Sequence, residues 1–169
     1  MKYLLIIVLA SMVAVLSCSP APKSDTADAQ TQETTEIVNS SEYEPGTWID
    51  NWDLAIAVAR ETGRTVLVNF TGSDWCSWCI KLASEVFEKK AFEAYAQENL
   101  VLLKLDFPRK IAQSAELKMQ NNNLQRQFGI QGYPTILLVN AEGKEIGRTG
   151  YQPGGPDAYI KHLGELMKK

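Results

Sequence analysis

The sequence is organised around one stretch, VLVNFTGSDWCSWCIK, which runs from Val66 to Lys81. Its first part is apolar and rich in β-branched residues without alternation, which is typical of a strand that is covered on both faces. Its second part carries two cysteines, Cys76 and Cys79, and the residues after them have helical spacing. The cysteines therefore lie where a buried strand leads into a helix, and they could form a redox pair, half of a metal site or a structural disulfide.

Further patterns on both sides of this stretch predict an alternation of helices and strands. Before it, Trp48, Trp52, Ile56 and Ala59 recur at helical spacing, with Asp50 or Asn51 as the N-cap and Gly63 as the end of the helix. After it, we expect helices over 80–87, 90–97 and 111–128, strands over 100–107, 135–140 and 145–149, and a final helix that begins near Pro156. Strands that are separated by helices predict parallel pairing, and the last hairpin adds an antiparallel edge. The expected fold is a three-layer α/β arrangement, a central mixed sheet with helices on both faces.

The composition is that of an ordinary globular protein. The chain has 169 residues, of which 45% are hydrophobic and 22% charged, and its formal net charge is -3. This length predicts one domain with extra segments. No block of Lys or Arg runs along the chain, so we expect no nucleic-acid partner.

The first residues have the pattern of an export signal. A short positive start is followed by the apolar run from Leu4 to Leu16, which is too short to span a bilayer comfortably. An uncleaved membrane anchor is the alternative. Val15-Leu16-Ser17-Cys18 resembles the bacterial lipoprotein signal, in which the cysteine receives a lipid and becomes the mature N-terminus. We therefore expect a lipoprotein-type signal peptide over 1–17 and lipidation at Cys18.

A polar segment separates this signal from the rest of the chain. Residues 18–45 are dominated by Ser, Thr, Ala, Asp, Glu, Gln and Pro, with few apolar side chains to bury. Such a composition predicts a disordered tether, which would hold the folded part away from a membrane surface. The folded domain is expected over 46–169.

The location of the cysteine pair favours thiol chemistry over its alternatives. The free N–H groups at a helix start would stabilise a thiolate at Cys76, and Cys79 lies close enough to resolve a mixed disulfide. A structural zinc site needs about four ligands, whereas the chain has three cysteines and one histidine, His162, in the last predicted helix. We expect His162 to be a solvated surface residue and no metal to be bound. An inert disulfide remains open, although so small a ring would add little stability.

A second motif lies downstream, where Gly132-Tyr133-Pro134-Thr135 places a proline directly before a predicted strand. With the cysteine pair, LLKLDF, FGIQGYPTILLV and the closing GRTGY, this order of motifs resembles the thioredoxin superfamily over about Trp48 to Lys169. The longer segment between Pro108 and Gln127 resembles secreted, disulfide-isomerase-like members with a CxWC motif. The resemblance implies a thioredoxin-like fold.

The resemblance also implies roles for individual residues. Cys76 would be the exposed nucleophile and Cys79 the buried resolving thiol. Pro134 would be in the cis form, and the Tyr133 backbone would pair with an extended substrate segment. Trp75 matches a tryptophan that precedes the active-site cysteine in many members, although simple packing explains it equally well. Trp78 would add an exposed aromatic surface beside the sulfurs.

One position departs from thioredoxins proper. Their buried aspartate, which accepts the proton of the resolving cysteine, is replaced by Asn69. Lys104 matches the lysine that pairs with this acid and would lack its partner. Asp74, Asp106 or a water molecule could serve in a proton relay, so we expect a changed pH profile in an active site.

These observations predict an extracytoplasmic, membrane-tethered thiol-disulfide oxidoreductase, a reductase or isomerase of protein disulfides. Its partners would be protein thiols and disulfides together with a membrane protein that supplies electrons. It would need no cofactor besides the Cys76–Cys79 disulfide, and it would reside in the periplasm, lipid-anchored or free. A non-catalytic client-binding module and a specialised reductant in cytochrome c maturation are the alternatives.

Overall fold

The computed structural model describes residues 43–168. The predicted signal peptide, the lipidation site Cys18 and all but the last residues of the predicted tether lie outside the described part. Tyr43, which falls in the segment predicted as a tether, is half-buried and packs against the domain core. No helix in the described range is both long and apolar enough to cross a membrane.

Within residues 43–168, five strands form one mixed sheet, and five α-helices cover it. The strands are β1 (Trp48–Ile49), β2 (Thr65–Thr71), β3 (Leu100–Asp106), β4 (Thr135–Val139) and β5 (Glu145–Thr149), and their order across the sheet is β1-β3-β2-β4-β5. The helices are α1 (Trp52–Thr62), α2 (Ser77–Leu82), α3 (Lys90–Asn99), α4 (Ala115–Gln127) and α5 (Gly155–Leu166), and a π-helical turn over Ala83–Phe87 continues α2. This architecture confirms the predicted three-layer α/β fold.

The two faces of the sheet carry separate apolar layers. On one face, α1 and α4 pack against alternate residues of β2 and β3, such as Val68 and Leu103. On the other face, α2, α3 and α5 pack against the intervening residues, such as Leu67 and Leu102. β2 is the central strand, and six of its seven residues are buried because helices cover both sides of it.

Helix α1 shows how the local sequence sets the ends of an element. The Asn51 side chain accepts a hydrogen bond from the Leu54 N–H at 2.9 Å, which caps the first turn. Gly63 ends the helix with a φ of 70°, a left-handed conformation that glycine adopts at little cost. Asn51 is thus one of the two predicted N-caps, but Trp48 lies in β1, so its inclusion in the helical pattern is wrong. Its ring packs against Phe87, whereas the ring of Trp52 packs against Phe128.

The direction of β4 corrects the expectation of parallel pairing for all helix-separated strands. β2 and β3 are parallel, but β4 is antiparallel to β2, with Thr135 opposite Phe70. The reason is the course of α4, which stays at the carboxyl end of β3: Asn121, in the middle of the helix, donates a hydrogen bond to the Asp106 carbonyl at 2.9 Å. The chain therefore enters β4 from the end at which β2 and β3 finish. α4 also begins later than predicted, because Ser114 caps it by accepting from the Leu117 N–H.

Candidate active site

The two cysteines lie just beyond the carboxyl end of β2 and form a disulfide with Cα atoms 5.2 Å apart. Cys76 is the N-cap of α2, and its Sγ accepts the backbone N–H of Cys79 at 3.2 Å. A thiolate at this position would receive the same N–H, and α2 with the π-helical turn places further peptide dipoles behind it. The arrangement can therefore stabilise negative charge on the sulfur of Cys76.

The structure does not show the predicted contrast in exposure between the two cysteines. Cys76 is 7% exposed and Cys79 is 5% exposed, so the expectation of an exposed Cys76 is wrong for this disulfide-bonded form. The Cys76 sulfur is bonded to Cys79 and lies over the start of α2, which removes most of its accessible surface. The residues next to the cysteines are more accessible: Ser77 is exposed, and Trp78 and Ile80 are 54% and 50% exposed.

Trp75 is fixed on the side of the disulfide that faces the proline loop. Its indole Nε1 donates a hydrogen bond to the Phe107 carbonyl at 2.8 Å, and its ring meets that of Tyr133 edge-on at 5.9 Å. The Arg109 guanidinium lies over the Trp75 ring, 3.9 Å from its centre. Gly72 makes this placement possible, because a Cβ there would lie 2.5 Å from the ring.

The proline loop has the predicted form. The peptide bond between Tyr133 and Pro134 is cis, and β4 begins at the next residue. The Tyr133 ring packs against Phe107 at 5.2 Å, and its hydroxyl accepts a hydrogen bond from the Gln125 amide at 2.8 Å. Burial raises the pKa of the Tyr133 hydroxyl above its ordinary value. These contacts join the proline loop to α4 and to the loop that follows β3.

The predicted acids hold loops in place. The Asp74 carboxylate accepts the backbone N–H groups of Arg109 at 3.0 Å and Lys110 at 2.6 Å. These hydrogen bonds, chiefly that from Arg109, lower the pKa of Asp74 although burial opposes them. Asp106 accepts both the N–H and the hydroxyl of Ser73, at 2.9 and 2.5 Å. Within residues 43–168 neither carboxylate hydrogen-bonds to a cysteine, and their part in a proton relay stays a prediction.

Asn69 and Lys104 are opposite each other in the parallel pair of β2 and β3, on the face that α2 covers. The Asn69 side chain is only 7% exposed, and its Oδ1 is buried without a hydrogen-bond partner. Lys104 is exposed and lies at a separate cleft beside β1 and α1, of about 360 Å³. The position that holds a buried aspartate in thioredoxins proper is thus occupied by the amide of Asn69, which cannot take a proton.

His162, Arg109 and Tyr151 remain to be placed. His162 is half-buried, so it keeps part of the solvent contact expected for it, and its Nε2 shares a hydrogen bond of 2.9 Å with the Thr149 hydroxyl. Among residues 43–168 no group of three or more His, Cys, Asp or Glu side chains is placed to hold a metal ion. No sequence pattern predicts a role for Arg109 or Tyr151. Tyr151 follows Gly150 in the GRTGY motif, which was the one signal that could have identified it.

Comparisons with known proteins agree with this geometry. The thioredoxin-like domain family matches residues 52–165. The disulfide bond reductase DsbH of Chlamydia pneumoniae is 33% identical over 114 residues, which cover 68% of this chain and 69% of that protein. The thioredoxin-related protein DsbJ of the same organism is 28% identical over 117 residues, but these cover 69% of this chain and only 34% of DsbJ. A solved structure of the DsbH oxidoreductase superposes with a TM-score of 0.69 at 32% identity, covering 72% of this chain and 84% of that chain.

Proposed function

The chain belongs to the thioredoxin-like domain family, and from this premise we propose that it reduces or isomerises protein disulfides outside the cytoplasm while tethered to a membrane. As a member related to a disulfide bond reductase, it is a thiol-disulfide oxidoreductase. One observation carries the proposal: the Cys76–Cys79 disulfide bridges the start of a helix, and Trp75, directly before it, contacts Tyr133 of the cis-proline loop. A purely structural disulfide would not need this location.

The reaction proceeds by two exchanges between sulfur atoms. In the reduced protein, the thiolate of Cys76 attacks one sulfur of a substrate disulfide, forms a mixed disulfide and releases the other substrate sulfur as a thiolate. The thiolate of Cys79 then attacks the Cys76 sulfur and releases the second substrate thiolate. Two electrons pass from the protein dithiol to the substrate, and the Cys76–Cys79 disulfide forms. No cofactor takes part in either exchange.

Cys79 must lose its proton before the second exchange. Asn69 is an amide, and Asp74 and Asp106 already accept hydrogen bonds from the loops beside the site. Because no buried acid stands in the place usual for thioredoxins, we assign the acceptance of this proton to water. The two aspartates and Lys104 are the other candidates for the relay.

The direction, partners and location of the reaction are also parts of the proposal. The relative DsbH is named a disulfide bond reductase, which favours reduction over oxidation for this chain. A reductase has to be reduced again, so we assign to it a membrane thiol donor that returns two electrons to Cys76 and Cys79. The apolar run from Leu4 to Leu16 and the cysteine at position 18 support export and lipidation.

The catalytic part is tested by a coupled assay with a peptide disulfide and a dithiol as the electron source. Wild-type protein should reduce the peptide, and Cys76→Ser should lower the rate to that of the dithiol alone. Ser84→Ala, on the exposed side of the same helical segment, is the matched control and should keep the wild-type rate. Full activity of Cys76→Ser would show that another group is the nucleophile.

The membrane part is tested separately by labelling with a radioactive fatty acid in a bacterial host. The full chain should carry the label and sediment with membranes, and Cys18→Ser should lose the label. A Cys18→Ser variant that is still labelled would contradict lipidation at this residue.

A further inference from the structure

Four side chains beside the disulfide form a connected surface, which we call the aromatic platform: Trp78, Lys81, Glu85 and Tyr151. Trp78 directly precedes Cys79 and is 54% exposed. The ring lies 5.2 Å from that of Tyr151 at an angle of 48°. Tyr151 follows Gly150, where a Cβ would lie 3.2 Å from the Pro134 carbonyl oxygen. The platform therefore adjoins both the disulfide and the cis-proline loop.

The exposed ring of Trp78 is held in place by a charged pair. The Lys81 ammonium lies 5.1 Å from the centre of the Trp78 ring and 5.0 Å from that of Tyr151, within the range of cation–π attraction. The Glu85 carboxylate contacts this ammonium at 3.9 Å and accepts a hydrogen bond from the Tyr151 hydroxyl at 2.6 Å. Glu85 lies in the π-helical turn and makes polar contacts with both Lys81 and Tyr151.

Such support matters for binding. A tryptophan that is more than half exposed would otherwise sample several rotamers, and a substrate would have to order it at a cost in entropy. A ring that is already fixed offers its apolar face without that cost. Aromatic rings also attract other aromatic side chains through stacked or edge-on contacts beyond the area they bury.

We infer that the aromatic platform selects disulfides in which an aromatic side chain lies next to the cysteine that Cys76 attacks. Trp78 contacts that side chain, and Lys81, Glu85 and Tyr151 are positioning residues that hold the Trp78 ring. The inference rests on the proposed function, because it describes which protein disulfides the same site prefers.

The test compares two disulfide-bonded peptides that differ in one residue, a phenylalanine or an alanine beside the cysteine. Wild-type protein should favour the phenylalanine peptide by about fivefold in kcat/KM, through a lower KM and with equal kcat. Trp78→Ala should remove this preference. Glu85→Ala should reduce it to about twofold through KM, since the ring is no longer held.

Two further variants separate positioning from a general effect on folding. Tyr151→Phe keeps the ring and loses only the hydroxyl that donates a hydrogen bond to Glu85, and it should reduce the preference as Glu85→Ala does. Glu88→Ala changes an exposed glutamate just after the π-helical turn that forms no ion pair within the described residues, and it should keep the wild-type preference. A loss of kcat toward both peptides alike would indicate a structural role and overturn the inference.

The outcomes also distinguish the inference from the function on which it rests. If the wild type reduces both peptides at equal kcat/KM, the selection by the platform is refuted and the reductase proposal stands. If Glu85→Ala and Glu88→Ala show the same preference, Glu85 does not position Trp78. If the wild type reduces neither peptide while the dithiol keeps it reduced, the proposed function itself fails.

Discussion

Replacing Gly72 by alanine should destabilise the protein by crowding Trp75. An added Cβ would lie 2.5 Å from Cε2, 2.6 Å from Nε1 and 2.8 Å from Cζ2 of the indole, and all three distances are too short for non-bonded atoms. The indole is rigid, so the whole ring has to shift, and this shift disturbs Tyr133 and Arg109, which pack against it. Overpacking of this kind costs about 1–3 kcal/mol.

The shift of the ring also removes specific contacts. The hydrogen bond from Trp75 Nε1 to the Phe107 carbonyl contributes about 1 kcal/mol, and the stacked Arg109 contributes about 0.5–1 kcal/mol. We therefore expect Gly72→Ala to lower the free energy of unfolding by about 2.5–5 kcal/mol in total.

Urea unfolding of the oxidised protein, followed by circular dichroism, measures this difference. Gly164→Ala is the matched control, because it lies inside α5 and a Cβ there meets no atom within 4 Å. The control should gain about 0.5–1 kcal/mol, since alanine is the better helix former. Wild-type stability of Gly72→Ala would refute the placement of Trp75 against the loop.

Three other substitutions or titrations probe the surroundings of the site. Asn69→Asp buries a carboxyl where the Asn69 Oδ1 has no hydrogen-bond partner, which should raise the folded-state pKa of the new carboxyl above 3.9. The stability of the variant, measured by urea unfolding, should therefore fall by about 2–3 kcal/mol between pH 4 and pH 8. An equal loss at both pH values would contradict this. Because its pKa is lowered, the Asp74 carboxylate stabilises the adjoining loop above pH 3.8, and this stabilisation is lost as the pH falls through the folded-state pKa. Amide exchange of Arg109, corrected for intrinsic rates, should therefore show less protection at pH 2.5 than at pH 5. Constant protection would contradict this. Tyr159→Phe removes a buried hydroxyl that donates to the Gly150 carbonyl at 3.0 Å, and urea unfolding should show a loss of about 1–2 kcal/mol, whereas no loss would mean that water replaces the bond.

The sequence predicts those parts of the fold that depend on local rules. The strand β2 follows from an unbroken apolar run, and the ends of α1 follow from Asn51 and Gly63. The cis form of Pro134 came from the family resemblance, because no local pattern distinguishes cis from trans proline.

The wrong predictions concern relations between distant segments. Trp48 and Trp52 have helical spacing, yet their rings pack into the layers on opposite faces of the sheet, so the spacing was coincidental. The antiparallel direction of β4 follows from the course of α4, whose Asn121 contacts the end of β3, and no periodicity indicates this course. The same holds for the site, since Arg109 over Trp75 and Glu85 beside Tyr151 are contacts between residues 34 and 66 positions apart, by subtraction of their numbers.

The redox equilibrium of Cys76 and Cys79 tests the central claim most directly. The full chain is equilibrated with mixtures of reduced and oxidised dithiol, and the fraction of disulfide is read by mass after alkylation. A catalytic pair should titrate as one two-electron couple between about -120 and -270 mV, the range of known exchange proteins. A potential below about -300 mV would identify a structural disulfide and contradict the assignment of Cys76 and Cys79 as the reactive pair.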